Sequence, residues 1–331
     1  MDCKLYPKEN NGLYGFVDEN GNKIIDFNFD FCDEFEDNMA LVEQDGLCGF
    51  INREGQFILE PKYDDINYFN EGLAVVEVHH KFGYINEECE EIIKVKYEEA
   101  KGFTEGRASV KLLGKYGYID NTGKVAIPFK FDDGSQFEEG LALVRLKDKF
   151  GYIDKDGNIV IEFKYDYATS FSEGLAAVAI GDRFFFIDKS GDVAFEKYLE
   201  FANEFNEGLA AVSYNDKYGF INKKGEFIIE SKYDWCDNFS GEYAPICIDD
   251  KYGFINKEGK EVIPCIYENV FDYNEELFSV QKGELWGYVD EDNNTVIPFK
   301  YDEVENFYEG VAKVIIDEHE FYIKKNGEAI Q

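Results

Sequence analysis

The pattern of hydrophobic and polar positions repeats along the chain with a period of 34 residues. An aromatic residue recurs ten times at this spacing, and glycine precedes it except where Phe185 and Phe321 stand instead. Such self-similarity predicts a repeat architecture, because a unit this short must stack on its neighbours to bury a core. The recurring aromatic residues are Phe16, Phe50, Tyr84, Tyr118, Tyr152, Phe186, Phe220, Phe254, Tyr288 and Tyr322.

Each repeat is predicted to contain three short antiparallel β-strands. Apolar residues alternate with other residues over 115–119 and 125–131, which is the period of a strand. Asp120-Asn-Thr-Gly123 lies between these segments and predicts a hairpin turn that glycine closes in the left-handed region. Glu139-Gly-Leu-Ala-Leu-Val144 predicts the third strand. Cys89 replaces the turn glycine in one copy, so that hairpin is expected to be the least regular.

When the repeats are aligned, several of their recurring residues resemble those of the bacterial WG, or KWG, β-repeat family. The resemblance is carried by Leu285-Trp-Gly-Tyr-Val-Asp290, by Val296-Ile-Pro298 and by the Glu-Gly-Leu-Ala segments. It covers essentially the whole chain, although tryptophan occupies its column only at Trp286. The resemblance implies an all-β repeat scaffold, found in arrays of variable length and generally without an assigned function.

These observations predict a single repeat array over residues 1–331. It would hold nine full units from about residue 12 to residue 318, with partial units at 3–11 and 319–331. Three strands per unit and a variable number of units favour an open superhelical β-solenoid. The alternative is a closed ring or β-propeller, in which strands from the two termini complete one unit.

The charge of the chain narrows the classes of partner. Asp and Glu number 69 against 34 Lys and Arg, for a net charge of −35. Such a charge disfavours nucleic acid and anionic membranes, and it favours a basic protein or peptide. The aromatic content of 17% argues against a disordered acidic tail. The start of the chain lacks the pattern of a signal peptide, no segment is apolar enough to span a bilayer, and the seven cysteines form no C-x-x-C pair. A cytoplasmic protein with reduced thiols is expected.

No motif for catalysis or for cofactor binding occurs in the sequence. The three histidines are too few for a multi-histidine metal site, and nucleotide, zinc-protease and hydrolase motifs are absent. The sequence therefore predicts a protein that is not an enzyme and holds neither metal nor cofactor.

Two series of carboxylates recur with the repeat. The first acidic series is interpreted mainly as structural, its members accepting backbone N–H bonds or pairing with lysines two residues upstream. The second acidic series is the candidate binding surface for a basic partner. The first series comprises Asp30, Asp64, Glu98, Asp132, Asp166, Glu200, Asp234, Glu268 and Asp302. The second comprises Asp37, Glu71, Glu105, Glu139, Glu173, Glu207, Glu275 and Glu309 and is interrupted at Gly241.

The hypothesis favoured by these patterns is a non-enzymatic scaffold that binds a basic protein or peptide through an extended acidic surface. Two alternatives belong to other classes. One is an acidic nucleic-acid mimic that occupies the DNA or RNA site of a basic protein. The other is a carbohydrate-binding module that uses exposed aromatic residues.

Overall fold

A computed structural model describes residues 4–36, 38–308 and 310–330. The chain divides into two compact units, Met1–Phe163 together with Gln331, and Lys164–Ile330. Every regular element in the described residues is a β-strand. The all-β prediction is therefore confirmed.

The first unit contains five antiparallel sheets, and the division between the units falls within the last strand of the fifth. The strands are β1 (Tyr6–Asn10), β2 (Leu13–Val17) and β3 (Lys23–Phe29); β4 (Phe31–Glu36), β5 (Met39–Gln44), β6 (Leu47–Ile51) and β7 (Phe57–Tyr63); β8 (Asp65–Ile66), β9 (Leu73–Val78), β10 (Lys81–Asn86) and β11 (Glu91–Tyr97); β12 (Glu99–Ala100), β13 (Ala108–Leu112), β14 (Lys115–Ile119) and β15 (Val125–Phe131); β16 (Asp133–Glu138), β17 (Leu141–Leu146), β18 (Lys149–Ile153) and β19 (Ile159–Tyr165).

The second unit contains five further sheets of the same kind. Their strands are β20 (Tyr167–Ala168), β21 (Leu175–Ile180) and β22 (Arg183–Asp188); β23 (Phe201–Ala202), β24 (Leu209–Tyr214), β25 (Lys217–Asn222) and β26 (Phe227–Tyr233); β27 (Trp235–Cys236), β28 (Tyr243–Ile248), β29 (Lys251–Asn256) and β30 (Glu261–Tyr267); β31 (Asn269–Asn274), β32 (Leu277–Lys282), β33 (Leu285–Val289) and β34 (Thr295–Tyr301); β35 (Glu303–Val304), β36 (Val311–Ile316) and β37 (His319–Lys324).

The sheets are blades of a β-propeller, and the prediction of an open superhelical solenoid is wrong. In each described sheet the strands follow one another in chain order, and hydrogen-bonded strand pairs stay inside the sheet. A β-solenoid instead pairs equivalent strands of successive repeats. Most sheets have four strands rather than the predicted three, because a short first strand such as β8 precedes the others. Up-and-down sheets of about four strands are typical of propeller blades.

The sheet boundaries are also displaced from the sequence repeat. The predicted third strand of one repeat pairs with the hairpin of the next, as β17 pairs with β18 and β18 neighbours β19. A sheet therefore begins just after a carboxylate of the first acidic series, as β16 begins after Asp132. The carboxylate and the turn that joins the second and third strands consequently belong to the same sheet.

Glycine before the recurring aromatic residue allows the last two strands of a sheet to approach closely. A Cβ atom added at Gly117 would lie 2.7 Å from the carbonyl oxygen of Ile127, in the neighbouring strand. Where Phe185 replaces this glycine, the sixth sheet has only three strands. There Val193 and Leu199 form isolated bridges, whereas the residues between them are not in a strand. The Phe185 side chain thus occupies space that the fourth strand uses in other sheets.

The recurring aromatic residues form the core, as their periodicity indicates. Tyr118 is fully buried, and its ring lies 5.0 Å from the ring of Phe137, edge to face. Equivalent pairs are Phe16 with Phe35, Phe50 with Phe69, Tyr84 with Phe103, Phe186 with Phe205, Phe220 with Phe239 and Tyr288 with Phe307. Each pair joins one sheet to the first strand or loop of the next, so the aromatic core runs between neighbouring sheets.

The Asx-x-x-Gly hairpins have the predicted geometry. Asp120 accepts hydrogen bonds from the backbone N–H groups of Thr122 and Lys124, each at 3.0 Å, and Gly123 has a φ of 79°. The expectation that Cys89 distorts its hairpin is wrong, because Cys89 takes a φ of 62° and keeps its hydrogen bond to the Asn86 carbonyl at 2.8 Å. Cys89 packs in a cluster with Leu59. Most other repeats have a β-branched isoleucine at the position of Leu59.

Candidate binding surface

The first acidic series lies beside two-residue turns that connect the second and third strands of the sheets. We call these turns, together with the equivalent turn between β1 and β2, the tip turns. Asp132 shows the arrangement: one carboxylate oxygen accepts the backbone N–H of Lys147 at 2.7 Å, and the other pairs with Lys115. Both contacts lower the pKa of Asp132 below its usual value, and the contact with Lys115 has the larger effect. Lysine pairs of this kind also hold Asp234 and Glu268.

All nine members of the first series accept a backbone N–H from a tip turn. This confirms the structural interpretation of the series, since each turn would otherwise leave donors without a protein partner. The donors, in the order of the series, are Asp45, His79, Leu113 with Gly114, Lys147, Gly181, Asp216, Asp249, Gly283 and Asp317.

The predicted pairing of this series with lysines two residues upstream is wrong. Those lysines extend over the aromatic ring next to them, as the Lys130 ammonium lies 5.0 Å from the ring centre of Phe131. Lys62, Lys96, Lys164, Lys232 and Lys300 lie over Tyr63, Tyr97, Tyr165, Tyr233 and Tyr301 in the same way. The acid instead follows the end of that strand, as Asp132 follows β15, and contacts the tip turn of the next sheet.

The second acidic series lies at the opposite end of the short first strand and links neighbouring sheets. Glu105 has a φ of 52°, and its carboxylate accepts the backbone N–H of Gly140 in the next sheet at 3.1 Å. Lys155 of that sheet lies 2.8 Å from the same carboxylate and is the main cause of its lowered pKa. Glu173 contacts Gly208 and Lys223 in the same way.

The remaining members of the second series follow this arrangement where the structure describes them. Glu71, Glu207 and Glu275 accept N–H groups of Gly106, Gly241 and Gly310. Glu139 has the same positive backbone φ, at 52°. Asp37 and Glu309 lie outside the described residues. These carboxylates therefore have a structural role, and their role in binding stays a prediction.

The tip turns differ in charge between the two units. In the second unit every tip turn carries a carboxylate; these turns are Gly181-Asp182, Asn215-Asp216, Asp249-Asp250, Gly283-Glu284 and Asp317-Glu318. In the first unit only two do, among Asn11-Gly12, Asp45-Gly46, His79-His80, Leu113-Gly114 and Lys147-Asp148. The interpretation of the sequence by repeating columns missed this difference. Comparison of the two halves of the chain would have found it.

The last tip turn borders an open cleft of about 630 Å³. Asp302, Glu303, Ile315, Asp317 and Glu318 line this cleft. Among the described residues, no lysine, arginine or histidine forms an ion pair with any of these four carboxylates.

The histidines and cysteines of the described residues form neither a metal-binding cluster nor a disulfide. No group of three His, Cys, Asp or Glu side chains suited to a metal occurs in residues 4–36, 38–308 and 310–330. The adjacent histidines form a tip turn, with His80 Nδ1 3.1 Å from the Glu77 carboxylate. The six cysteines in the described ranges are free, and Cys3 lies outside them. Burial raises the pKa of the Cys48 thiol to about 11. Nothing in the described part of the chain is a helix that could cross a bilayer.

Solved structures resemble the chain in fold and not in sequence. A crystal structure of a eukaryotic initiation factor matches with a TM-score of 0.60 at 11% identity, over 99% of this chain and 95% of that one. The dihydro-heme d1 dehydrogenase NirN matches with a TM-score of 0.44 at 12% identity, over 79% and 73%. Hsv2p of Kluyveromyces lactis matches with a TM-score of 0.39 at 10% identity, over 76% and 91%. Only the first of these likenesses is close enough to support the fold.

No curated protein matches the chain. The model of the WG containing repeat matches nine times, at residues 14–48, 49–81, 82–116, 116–150, 150–184, 184–218, 218–252, 252–286 and 286–318. These matches confirm the resemblance carried by the glycine–aromatic columns, and the chain belongs to the WG-repeat family.

Proposed function

We propose that this protein is a non-enzymatic scaffold that binds a basic protein or peptide through the tip turns of its second unit. The observation that carries this proposal is the unbroken row of five acidic tip turns in that unit, against two of five in the first. Because the repeat fold tolerates Leu113 and His80 at the same positions, the fold itself does not require the acids of the second unit.

The affinity of such a surface for a cationic ligand comes from the number of ion pairs rather than from the strength of any one of them. An exposed ion pair contributes only about 0.2 to 1 kcal/mol, so several tip turns must act together. A row of like charges also raises the local concentration of a cationic ligand and speeds its association. The first acidic series contributes to this field, since its carboxylates sit directly beside the tip turns. Binding would therefore be weakened strongly by salt.

Neutralising the tip turns tests the proposal. We expect Asp216→Asn, Asp250→Asn and Glu318→Gln each to weaken binding of a fluorescein-labelled nona-lysine peptide two- to fivefold, and the three together about thirtyfold. Fluorescence anisotropy at 50 mM and 200 mM NaCl measures both the affinity and its dependence on salt. The three side chains are exposed and make no described ion pair, so folding should be preserved.

A matched control removes three exposed carboxylates of the first unit away from its tip turns, by Glu54→Gln, Glu60→Gln and Glu87→Gln. This control changes the net charge equally and is expected to weaken binding less than threefold. Equal losses in the two triple variants would contradict the proposed surface, because only the total charge would then matter. Absence of binding to the unmodified protein at 50 mM NaCl would contradict the proposed function.

A further inference from the structure

The second unit carries a run of aromatic residues that are only partly buried. Their positions are separated by 17 residues, half of the sequence repeat, because they alternate between the first and third strands of successive sheets. We call this set the aromatic ribbon; it comprises Tyr167, Phe184, Phe201, Tyr218, Trp235 and Tyr252.

Within each sheet, two ribbon residues flank a small residue of the strand between them. In the sixth sheet, Ala179 pairs with Tyr167 on one side and with Phe184 on the other, and the two rings lie 5.3 Å apart. Ser213 and Cys247 take the place of Ala179 in the next two sheets. The small middle side chain lets the two flanking rings meet above it.

The same arrangement brings rings together over three successive sheets. Phe201 and Tyr218 are 6.1 Å apart in the seventh sheet, and Trp235 and Tyr252 are 5.9 Å apart in the eighth. Phe184 also lies 5.7 Å from Phe201, which connects the sixth sheet to the seventh. The side chains of this set remain accessible: Tyr167 is 38% exposed and Trp235 is 37% exposed, while the others are half-buried.

The first unit shows that the first-strand positions of this set need not be aromatic. Its fourth sheet has Glu99, Lys111 and Tyr116 in the corresponding row, with the Lys111 ammonium 2.6 Å from the Glu99 carboxylate. The fifth sheet has Asp133, Arg145 and Phe150 there. Charged residues therefore satisfy the fold at the first-strand positions, whereas Tyr116 and Phe150 keep the third-strand position aromatic in the first unit as well. Tyr167, Phe201 and Trp235 are thus the ribbon residues that the fold does not require to be aromatic.

Carboxylates border the ribbon along its length. Asp166, Glu200 and Asp234 each directly precede a ribbon residue in the chain. The tip-turn residues Asp182, Asp216 and Asp250 lie two positions before Phe184, Tyr218 and Tyr252, at the same end of the sheets, since the tip turns donate backbone N–H groups to Asp166, Glu200 and Asp234. A surface of aromatic rings bordered by negative charge is complementary to a side chain that is both cationic and planar or apolar.

We propose that the aromatic ribbon is the docking surface for an extended segment of a partner rich in arginine, whose guanidinium groups stack on the rings and pair with the bordering carboxylates. This inference rests on the proposed function and specifies how the same surface recognises its ligand. Arginine fits better than lysine, because its guanidinium is planar, stacks on aromatic faces and binds carboxylates through two hydrogen bonds. Nucleic acid does not fit, since the bordering carboxylates repel phosphate.

Tryptophan fluorescence gives a direct report from the ribbon. The chain has two tryptophans, so the Trp286→Phe variant leaves Trp235 as the single tryptophan. Phenylalanine and tyrosine occupy the position of Trp286 in other repeats, so this substitution is compatible with the fold. We expect titration with unlabelled nona-arginine to change the emission of Trp235 with saturation, and nona-glutamate to leave it unchanged.

A double substitution then measures the contribution of the aromatic rings to affinity separately from that of the carboxylates. Tyr167→Leu with Trp235→Leu keeps apolar side chains but removes two rings, and it should weaken binding of fluorescein-labelled nona-arginine about tenfold. The matched control, Tyr68→Leu with Tyr308→Leu, removes two tyrosines that are more exposed, at 63% and 65%, and lie outside the ribbon. It should change the affinity less than twofold. Circular dichroism of both variants verifies that they fold alike.

The outcomes distinguish the inference from the proposed function. Unchanged affinity of the ribbon variant, with loss in the tip-turn variants, would overturn the ribbon while the acidic surface stands. Failure of the unmodified protein to bind either cationic peptide would overturn both. A saturable response of Trp235 to the neutral sugar cellohexaose, with none to nona-arginine, would overturn the inference in favour of a carbohydrate ligand.

Discussion

Replacement of Phe137 by alanine is expected to lower the free energy of unfolding by about 3 to 5 kcal/mol. Phe137 is 1% exposed, and its ring packs edge to face against Tyr118 of the preceding sheet. Alanine removes this contact and leaves a cavity in a cluster that includes Phe131 and Val144. The loss combines the transfer free energy of the ring with the cost of the cavity, and urea denaturation measures it.

Phe271→Ala provides the matched control, because Phe271 is 58% exposed in β31. This change should cost less than about 0.5 kcal/mol, as is usual for a surface position. If the two variants lost similar stability, the recurring aromatic pair would not be the contact that holds neighbouring sheets together.

Replacement of Gly253 by alanine is expected to cost about 3 kcal/mol, the upper end of the range for an overpacked site. A Cβ atom added there would lie 2.3 Å from the carbonyl oxygen of Ile263, which belongs to the backbone of β30 and cannot rotate away. Strand β30 would have to move away from β29; in the sixth sheet, where Phe185 replaces the corresponding glycine, the fourth strand is missing. The shift in the midpoint of urea unfolding measures this cost.

The matched control for Gly253 is Gly102→Ala. A Cβ atom at Gly102 would meet only the side-chain amide of Asn70, at 3.1 Å, and this side chain can turn aside. We expect a loss below about 1 kcal/mol. Similar tolerance of both substitutions would show that glycine does not set the spacing between the last two strands.

The elements that depend on local chemistry were predictable from the sequence. The hairpin at Asp120–Gly123 is one, because an Asx side chain and a glycine at fixed spacing impose the turn wherever it occurs. The aromatic core is another, since one position was aromatic in every repeat. Both features are determined within a single repeat and need no knowledge of how repeats are arranged.

The arrangement of the sheets was not predictable in the same way. The first strand of most sheets has only two residues, such as Asp65–Ile66, and so short a segment shows no alternation. Three visible strands per repeat then suggested a solenoid, whereas most sheets have a fourth strand, which is typical of a propeller blade. The pairing of β17 with β18, which joins two sequence repeats in one sheet, also depends on contacts beyond the repeat.

The candidate site was partly hidden by the repeat itself. Carboxylates that recur with the sequence repeat hold neighbouring sheets together. Glu105, for example, contacts Gly140 and Lys155 of the next sheet. The features that favour binding are those that differ between units, namely the acidic tip turns and the ribbon around Trp235. Averaging over repeats conceals such differences, because a position is then judged by what its copies share.

A cationic partner that binds along the tip turns of the second unit should protect their amides from hydrogen exchange. Exchange measured with and without saturating nona-arginine compares the two units within one molecule, because both carry equivalent turns. We predict slower exchange at residues 181–184, 215–218 and 249–252 on addition of the peptide, and no change at residues 79–82 and 113–116 of the first unit. Equal protection of the turns in both units, or protection confined to the first, would contradict the claim.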